Sequence, residues 1–185
     1  MKKAFATFVA EPTGEHYLAA REAALKISRT NVSSRDFSRL TRLAESQAFA
    51  DLMQAIEDLP PSAQLSPRAH YLAWMAAEQM RDDAEAELER YLFAACVRGI
   101  LETGCGSAEA PYRVTHVSDE YDVLLALGRE SVSQRLIERD GRAFDVLRCD
   151  DGQDLWFELG RFAGVSKPTS KPRKPAKKRQ LRVVK

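Results

Sequence analysis

The chain predicts an α+β fold: amino-terminal helical hairpins packed on a small carboxyl-terminal antiparallel sheet of order β-α-β-β-β, then a disordered basic tail. Three observations carry that expectation. Apolar residues recur every three or four positions as far as Leu101 and alternate after it. The pairs Asp140-Gly141 and Asp151-Gly152 separate three short strand-like runs. The stretch Lys167 to Lys185 holds six lysines, three arginines and no acid. At 185 residues and 44% hydrophobic content, the chain suits one ordinary domain of roughly 100–200 residues. It divides into a helical half over 1–101 and a small α+β half over 102–163, packed together as one unit, and a tail over 164–185.

In chain order, Lys2 and Lys3 precede the apolar run AFATFVA, which Glu11 and Pro12 end. Phe8 stands where a secretory signal needs a small residue, so the pattern argues against one. A modest helix follows over Glu15 to Ser28, carried by Leu18, Leu25 and intervening alanines, and Ser28 to Arg35 reads as a polar connection. From Phe37, the residues Leu40, Ala44, Ala48, Leu52, Ala55 and Leu59 draw one continuous stripe, which predicts a single helix from near Ser34 to the stop at Pro60-Pro61. Ser66 before Pro67 is a helix-start signal, since the serine oxygen can cap backbone N–H groups and proline is tolerated at the first helical position. Leu72, Ala73, Ala76 and Met80 share one side of that helix. After Arg81, Asp82 and Asp83, a second stripe runs through Ala84, Leu88, Leu92 and Ala95 toward Leu101, giving an antiparallel hairpin.

That hairpin resembles, in character, the unit stacked in tetratricopeptide (TPR) solenoids. No second copy recurs at a fixed period, so a short helical bundle packed on the second half is the alternative to a repeat array.

The grammar changes at Gly104. Thr103 to Ser107 form a glycine-punctuated loop, after which Tyr112, Val114 and His116 alternate with Arg113, Thr115 and Val117 as in a strand. Ser118 is expected to cap a short helix with Asp119 and Glu120 at its positive amino end, and Gly128 to close it. Val132–Glu138, Ala143–Cys149 and Leu155–Leu159 are the remaining strands, joined at Asp-Gly turns whose central positions need positive φ. Alternation puts Leu155, Phe157 and Leu159 on one face, for the core, and Trp156 on the other, either against the helices or as an exposed recognition residue. Phe162 extends the aromatic cluster.

Over Ile100 to Leu159, the succession TGCGS, PYRVTHVSDEYDVLLALG, SQRLIERDGRAFDVL and LWFEL resembles the carboxyl-terminal portion of the bacterial family catalogued as domain of unknown function 4919. The loop, the SxEY-type segment opening a short helix, the SQ-Leu strand and the terminal aromatic strand come in the same order. Cys105 stands where that loop usually carries an acid, and the basic tail lies outside the shared pattern. The resemblance implies a fold and no activity, so no catalytic residue follows from it.

From the residues alone, Cys105 between two glycines is the best-placed nucleophile, with backbone N–H groups that could face an oxyanion and His116 as its base. A solvent-facing thiol in a tight turn accounts for the same residues. Cys105, His116 and Cys149 are ligand types without ligand spacing, because no CxxC or HxxxH pair occurs. Asp119 and Glu120 could work as acid and base or hold a cation, but capping explains their position. His16 and His70 read as surface or satisfied polar residues. Neither GxxxxGK[ST] nor GxGxxG occurs, so no cofactor is indicated, and no catalytic or metal residue is assigned. Cys96, Cys105 and Cys149 are an odd number without regular spacing, which suits reduced thiols and a cytoplasmic location.

The tail residues Lys167, Lys171, Arg173, Lys174, Lys177, Lys178, Arg179, Arg182 and Lys185 are candidate contacts to nucleic acid or another polyanion. Without these nine, the chain keeps 19 basic against 27 acidic residues, a body of about −8 beside a tail of +9. Proline and like charge predict disorder from Ser166 onward, and the absence of aromatics there argues against base stacking by the tail itself. Anionic lipid, an acidic protein surface or solvent alone could equally meet that charge. No run approaches the ~18 apolar residues of a membrane span. The leading functional expectation is an intracellular interaction or adaptor protein whose helical half binds a protein partner while the tail adds nonspecific anionic affinity. A nucleic-acid-associated protein binding through the tail, and an enzyme using Thr103 to Glu120, are the alternatives.

Overall fold

A computed structural model describes residues 1–27 and 32–159. The tail with its nine candidate contacts, Phe162 and part of the Ser28–Arg35 connection lie outside the described residues. The architecture is α+β, as the patterning predicts, with seven α-helices and one four-stranded sheet among the described residues.

The amino-terminal run forms α1 (Lys2–Ala10), which packs on α2 (Gly14–Ile27) and buries Phe8 completely. The expected single helix after Ser34 is instead two, α3 (Ser34–Glu45) and α4 (Phe49–Glu57). Gln47 takes a left-handed conformation (φ 58°), and the Gln47 and Ala48 N–H groups donate back to Ala44 and Leu43 carbonyls at 3.1 and 3.0 Å. That is the helix-ending arrangement usually built on glycine. At the other end of α3, Ser33 and Asp36 form a capping box. A 3₁₀ turn at Pro61–Leu65 leads into α5 (Pro67–Met80), and α6 (Asp83–Leu101) returns antiparallel after left-handed Arg81 (φ 60°). Asp82 caps α6 by accepting from the Glu85 N–H at 3.1 Å. Ser66 is the N-cap residue of α5 and Pro67 its first, as the sequence signal predicts, but the Ser66 hydroxyl makes no capping bond; it donates to Asp119 Oδ1 at 3.3 Å, tying the hairpin to the second half.

The second half runs β1 (Tyr112–Val114), α7 (Val117–Ala126), β2 (Ser131–Arg139), β3 (Arg142–Cys149), β4 (Asp154–Leu159). The expected β-α-β-β-β succession is present, but β1 is shorter than the alternation suggested and His116 falls outside it. The spatial order is β1-β4-β3-β2, with β1 parallel to β4 and the other pairs antiparallel. The sheet is therefore mixed, which corrects the antiparallel expectation: α7 crosses between β1 and β2, so these two strands run the same way. Asp140 and Gly141 both have positive φ (53° and 68°) in a two-residue hairpin turn. The second Asp-Gly differs. Only Gly152 is left-handed (φ 82°), and its N–H closes the turn on the Cys149 carbonyl at 3.0 Å.

The halves share a core. Phe8, Tyr17, Cys96 and Ile100 from the helices join Val114, Leu147, Leu155 and Phe157 from the sheet in one buried cluster. A second cluster of Leu40, Leu52, Ala55, Leu72 and Ala76 holds α3 and α4 on α5. Polar links cross between the halves as well: Arg21 donates twice to the Val114 carbonyl (3.0 and 2.8 Å), and Tyr17 Oη meets Thr115 Oγ1 at 3.0 Å. Helices cover one face of the sheet, and among the described residues no helix covers the other.

Candidate functional site

Strand alternation sends every second side chain to the uncovered face. The register pairs Arg135 with Val146, Ile137 with Phe144 and Arg139 with Arg142, then Val146 with Trp156, Arg148 with Asp154, and Arg113 with Glu158. Each pair shares a face. Arg113, Arg135, Arg139, Arg142 and Arg148 therefore converge there, their side chains 43 to 60% exposed. Two partly shielded carboxylates lie among them, and each serves two guanidinium groups. Asp154 meets Arg135 at 2.5 Å and Arg148 at 2.6 Å, while Glu158 meets Arg113 at 3.3 Å and Arg142 at 3.5 Å. A guanidinium has five N–H donors, so sharing one carboxylate between two leaves donors and net positive charge for a further anion.

Aromatic rings lie within this field. Trp156 is half-buried and packs edge-on against Phe144, with centroids 6.1 Å apart at 65°. The Arg142 guanidinium sits 5.5 Å from the Phe144 centroid, within cation–π range. Trp156 thus points away from the helices, and its packing partner is on the sheet.

The loop between α6 and β1 walls one end of the face. Its glycine pattern has a geometric cause: the Cys105 and Gly106 N–H groups both donate to the Ala110 carbonyl at 2.9 and 3.0 Å. Gly106 has φ +74°, and a side chain there would meet the Tyr112 ring at 2.6 Å. The Trp156 N–H donates to the Gly106 carbonyl at 2.9 Å, and the Arg113 N–H to Thr103 Oγ1 at 2.8 Å, which anchors the loop to the sheet. Between the loop and the strands lies a cavity of about 310 Å³, lined by Arg113, Arg139, Arg142, Phe144, Trp156 and Glu158, with Ala108–Pro111 as its wall.

The residues singled out in the sequence are placed elsewhere. Cys105 is an exposed free thiol, held below its ordinary range by a hydrogen bond from the Ser107 hydroxyl. The Cys105 and Gly106 N–H groups that could have faced an oxyanion are both taken by Ala110. His116 is 5% exposed; its Nε2 lies 3.1 Å from the Ser62 carbonyl and its ring packs on Phe37. Burial pushes the imidazole down to about 4. It does not serve Cys105 as a base.

His116, not Ser118, is the N-cap of α7, which corrects the expected helix start. Asp119 accepts there from the Thr115 and His116 N–H groups at 3.1 and 2.8 Å. Burial raises its carboxyl to about 8 against those hydrogen bonds. Capping thus accounts for Asp119 but not for Glu120, which is fully buried with its carboxyl set against that of Asp145. Burial first, and the charge of Asp145 second, raise the Glu120 carboxyl well above its usual range. Next to it, Arg68 pairs with buried Asp122, with Nε to Oδ1 at 2.9 Å.

Cys149 is buried, and no group of three or more His, Cys, Asp or Glu side chains among the described residues is placed to hold a metal ion. His70 lies between Glu89 (2.6 Å) and the Gln64 carbonyl (3.0 Å), and His16 sits 2.9 Å from the Glu11 carbonyl. Both are satisfied polar residues, as expected. No helix among the described residues is long and apolar enough to cross a membrane.

The arginine face went unread in the sequence, although its signal is there. Arg135-x-Ile137-x-Arg139 and Arg142-x-Phe144-x-Val146-x-Arg148 carry arginine at even spacing, which puts it on one face of each strand. Comparison of the chain with protein-family models, with curated proteins and with solved structures returned no match.

Proposed function

We propose that the protein binds single-stranded nucleic acid on the open face of its sheet, with the basic tail adding sequence-independent attraction. The observation that carries this reading is the convergence of Arg113, Arg135, Arg139, Arg142 and Arg148 around Trp156 and Phe144 on one uncovered face. Arginine supplies phosphate contacts and a half-buried tryptophan supplies a stacking platform, the two terms from which single-strand binding is built. The tail, a few residues beyond Leu159, contributes charge without aromatics, so it adds affinity but no base contact. A cytoplasmic location, suggested by three unpaired cysteines, suits such a partner.

This reading displaces the tail as the principal binding element and stands ahead of the adaptor reading. Exposed apolar residues of the helical half, Ile27, Met80, Leu88 and Tyr91, are scattered over α2, α5 and α6, and single exposed apolar side chains are ordinary. The family resemblance over 100–159 carries no activity and adds nothing to either reading.

The test is a salt series with short single-stranded DNA and RNA, comparing the full chain, a chain ending at Val165, and the full chain with Arg135→Glu and Arg142→Glu. The chain ending at Val165 should still bind at low salt, with a shallower salt dependence than the full chain. The double variant should bind far more weakly than either. If the truncated chain shows no binding at low salt, the sheet face is not the site.

A further inference from the structure

Resting on that reading, we infer that the cavity between the Thr103–Pro111 loop and the sheet holds one ribonucleotide unit, its phosphate on the arginines, its base against Trp156 and its ribose 2′-hydroxyl on Glu158. The cavity, about 310 Å³, falls at the small end of the roughly 300–1,000 Å³ typical of ligand sites, which limits the occupant to a single unit of a strand. Its lining is chemically mixed in a way that a bare phosphate would not require. Arg113, Arg139 and Arg142 supply donors to an anion from three different strands, β1, β2 and β3. Glu158, on β4 between them, and Glu109 on the loop wall are acceptors only and repel anionic oxygen, and of the two Glu158 lies among the arginines. An occupant that satisfies both must carry an anion at one end and hydroxyl donors near it. Trp156, two residues before Glu158 on the same face of β4, adds a flat apolar surface about 7 Å along the strand. A nucleoside monophosphate presents phosphate, hydroxyls and a flat ring in that combination, and the ribose 2′-hydroxyl gives Glu158 a donor that a deoxyribose lacks.

The geometry distinguishes this cavity from the rest of the face. Arg135 and Arg148 flank Asp154 outside the lining and meet the neighbouring parts of a strand through phosphate alone. The cavity is closed on one side by the loop, which hydrogen bonds from Trp156 and Arg113 hold against the sheet. The inferred order is therefore one selected ribonucleotide inside and unselected phosphates outside.

The chain has two tryptophans, and Trp74 lies apart on α5, donating to Glu78. In full-length protein carrying Trp74→Phe, Trp156 alone reports, and its fluorescence can be followed on adding adenosine 5′-monophosphate, its 2′-deoxy counterpart, adenosine or inorganic phosphate. A short single-stranded oligoribonucleotide is titrated in parallel by anisotropy. Adenosine monophosphate should quench Trp156, with the deoxy counterpart weaker by about fivefold and adenosine or phosphate alone weaker by about tenfold or more. Arg142→Ala should weaken the monophosphate, and Glu158→Gln should equalise the ribose and deoxyribose forms without abolishing the phosphate requirement. Quenching by the monophosphate without strand binding would uphold the cavity and overturn the proposed function. Strand binding without quenching at millimolar monophosphate would overturn the cavity and leave the proposed function standing. Equal affinity for ribose and deoxyribose in the unaltered Glu158 protein would overturn the role given to Glu158.

Discussion

The two faces of the sheet are made from alternate residues of the same strands, yet they handle polar groups in opposite ways. On the covered face, Leu147, Leu155 and Phe157 are at most 5% exposed, and the acid among them, Asp145, lies beside a Glu120 that burial holds toward its neutral form. On the open face, arginines and carboxylates pair with one another within reach of water, above a fully buried Val146. The covered face carries the fold, and the open face carries spare chemistry. Exposed ion pairs contribute only about 0–1 kcal/mol each, so five arginines in one place are not needed for stability.

The largest expected effect tests that division directly. Phe157→Ala empties a fully buried site and should cost about 3–5 kcal/mol in urea denaturation. Trp156→Ala, the adjacent residue on the other face, should cost under about 2 kcal/mol of stability while weakening strand binding by about 1–3 kcal/mol. Comparable stability losses at both positions would break the comparison.

Next in size is the acid limb of stability. The folded pKa of His116, about 4, lies below the unfolded value of 6.5, so the unfolded chain binds the extra proton in that window. Stability attributable to this residue is complete above pH 6.5 and is lost as pH falls toward 4, by about 3 kcal/mol. His116→Gln should flatten that limb in denaturation measured at several pH values.

Glu120 has the opposite sign. Its folded pKa is raised, so its contribution is present at low pH and lost as pH rises through the folded value. Glu120→Gln should match or exceed the parent chain at pH 8 by about 1–3 kcal/mol, with a flatter alkaline side. A strong loss of stability at that pH would show that the contact with Asp145 needs the carboxyl itself.

The smallest effect on stability belongs to the open face. Arg148→Gln should change stability by under about 0.5 kcal/mol and weaken all sequences alike, lowering the slope of log affinity against log salt by about 1.

Much of this fold was legible because its signals are local. Asp140-Gly141 needs two positive φ angles, and Pro60-Pro61 stops a helix whatever surrounds it. The break at Gln47 was not, because a residue other than glycine takes the left-handed position and the apolar stripe runs on across it. Nor was the parallel placement of β1, which depends on α7 crossing the sheet. The site was hidden for a different reason. A body charge of about −8 averages over all surfaces, whereas the positive field on the open face arises only when four strands are set in register. Cys105 and His116 drew attention as reactive types, but burial and backbone hydrogen bonding decided what each can do.

The most direct measurement is ultraviolet cross-linking of the full chain to single-stranded RNA, followed by peptide mapping. The proposed site predicts a cross-link at half-exposed Trp156, and none at the buried Phe144 beside it, that vanishes when Arg135 and Arg142 are changed to glutamate. Cross-links confined to the helices, or to residues beyond 159, would contradict it.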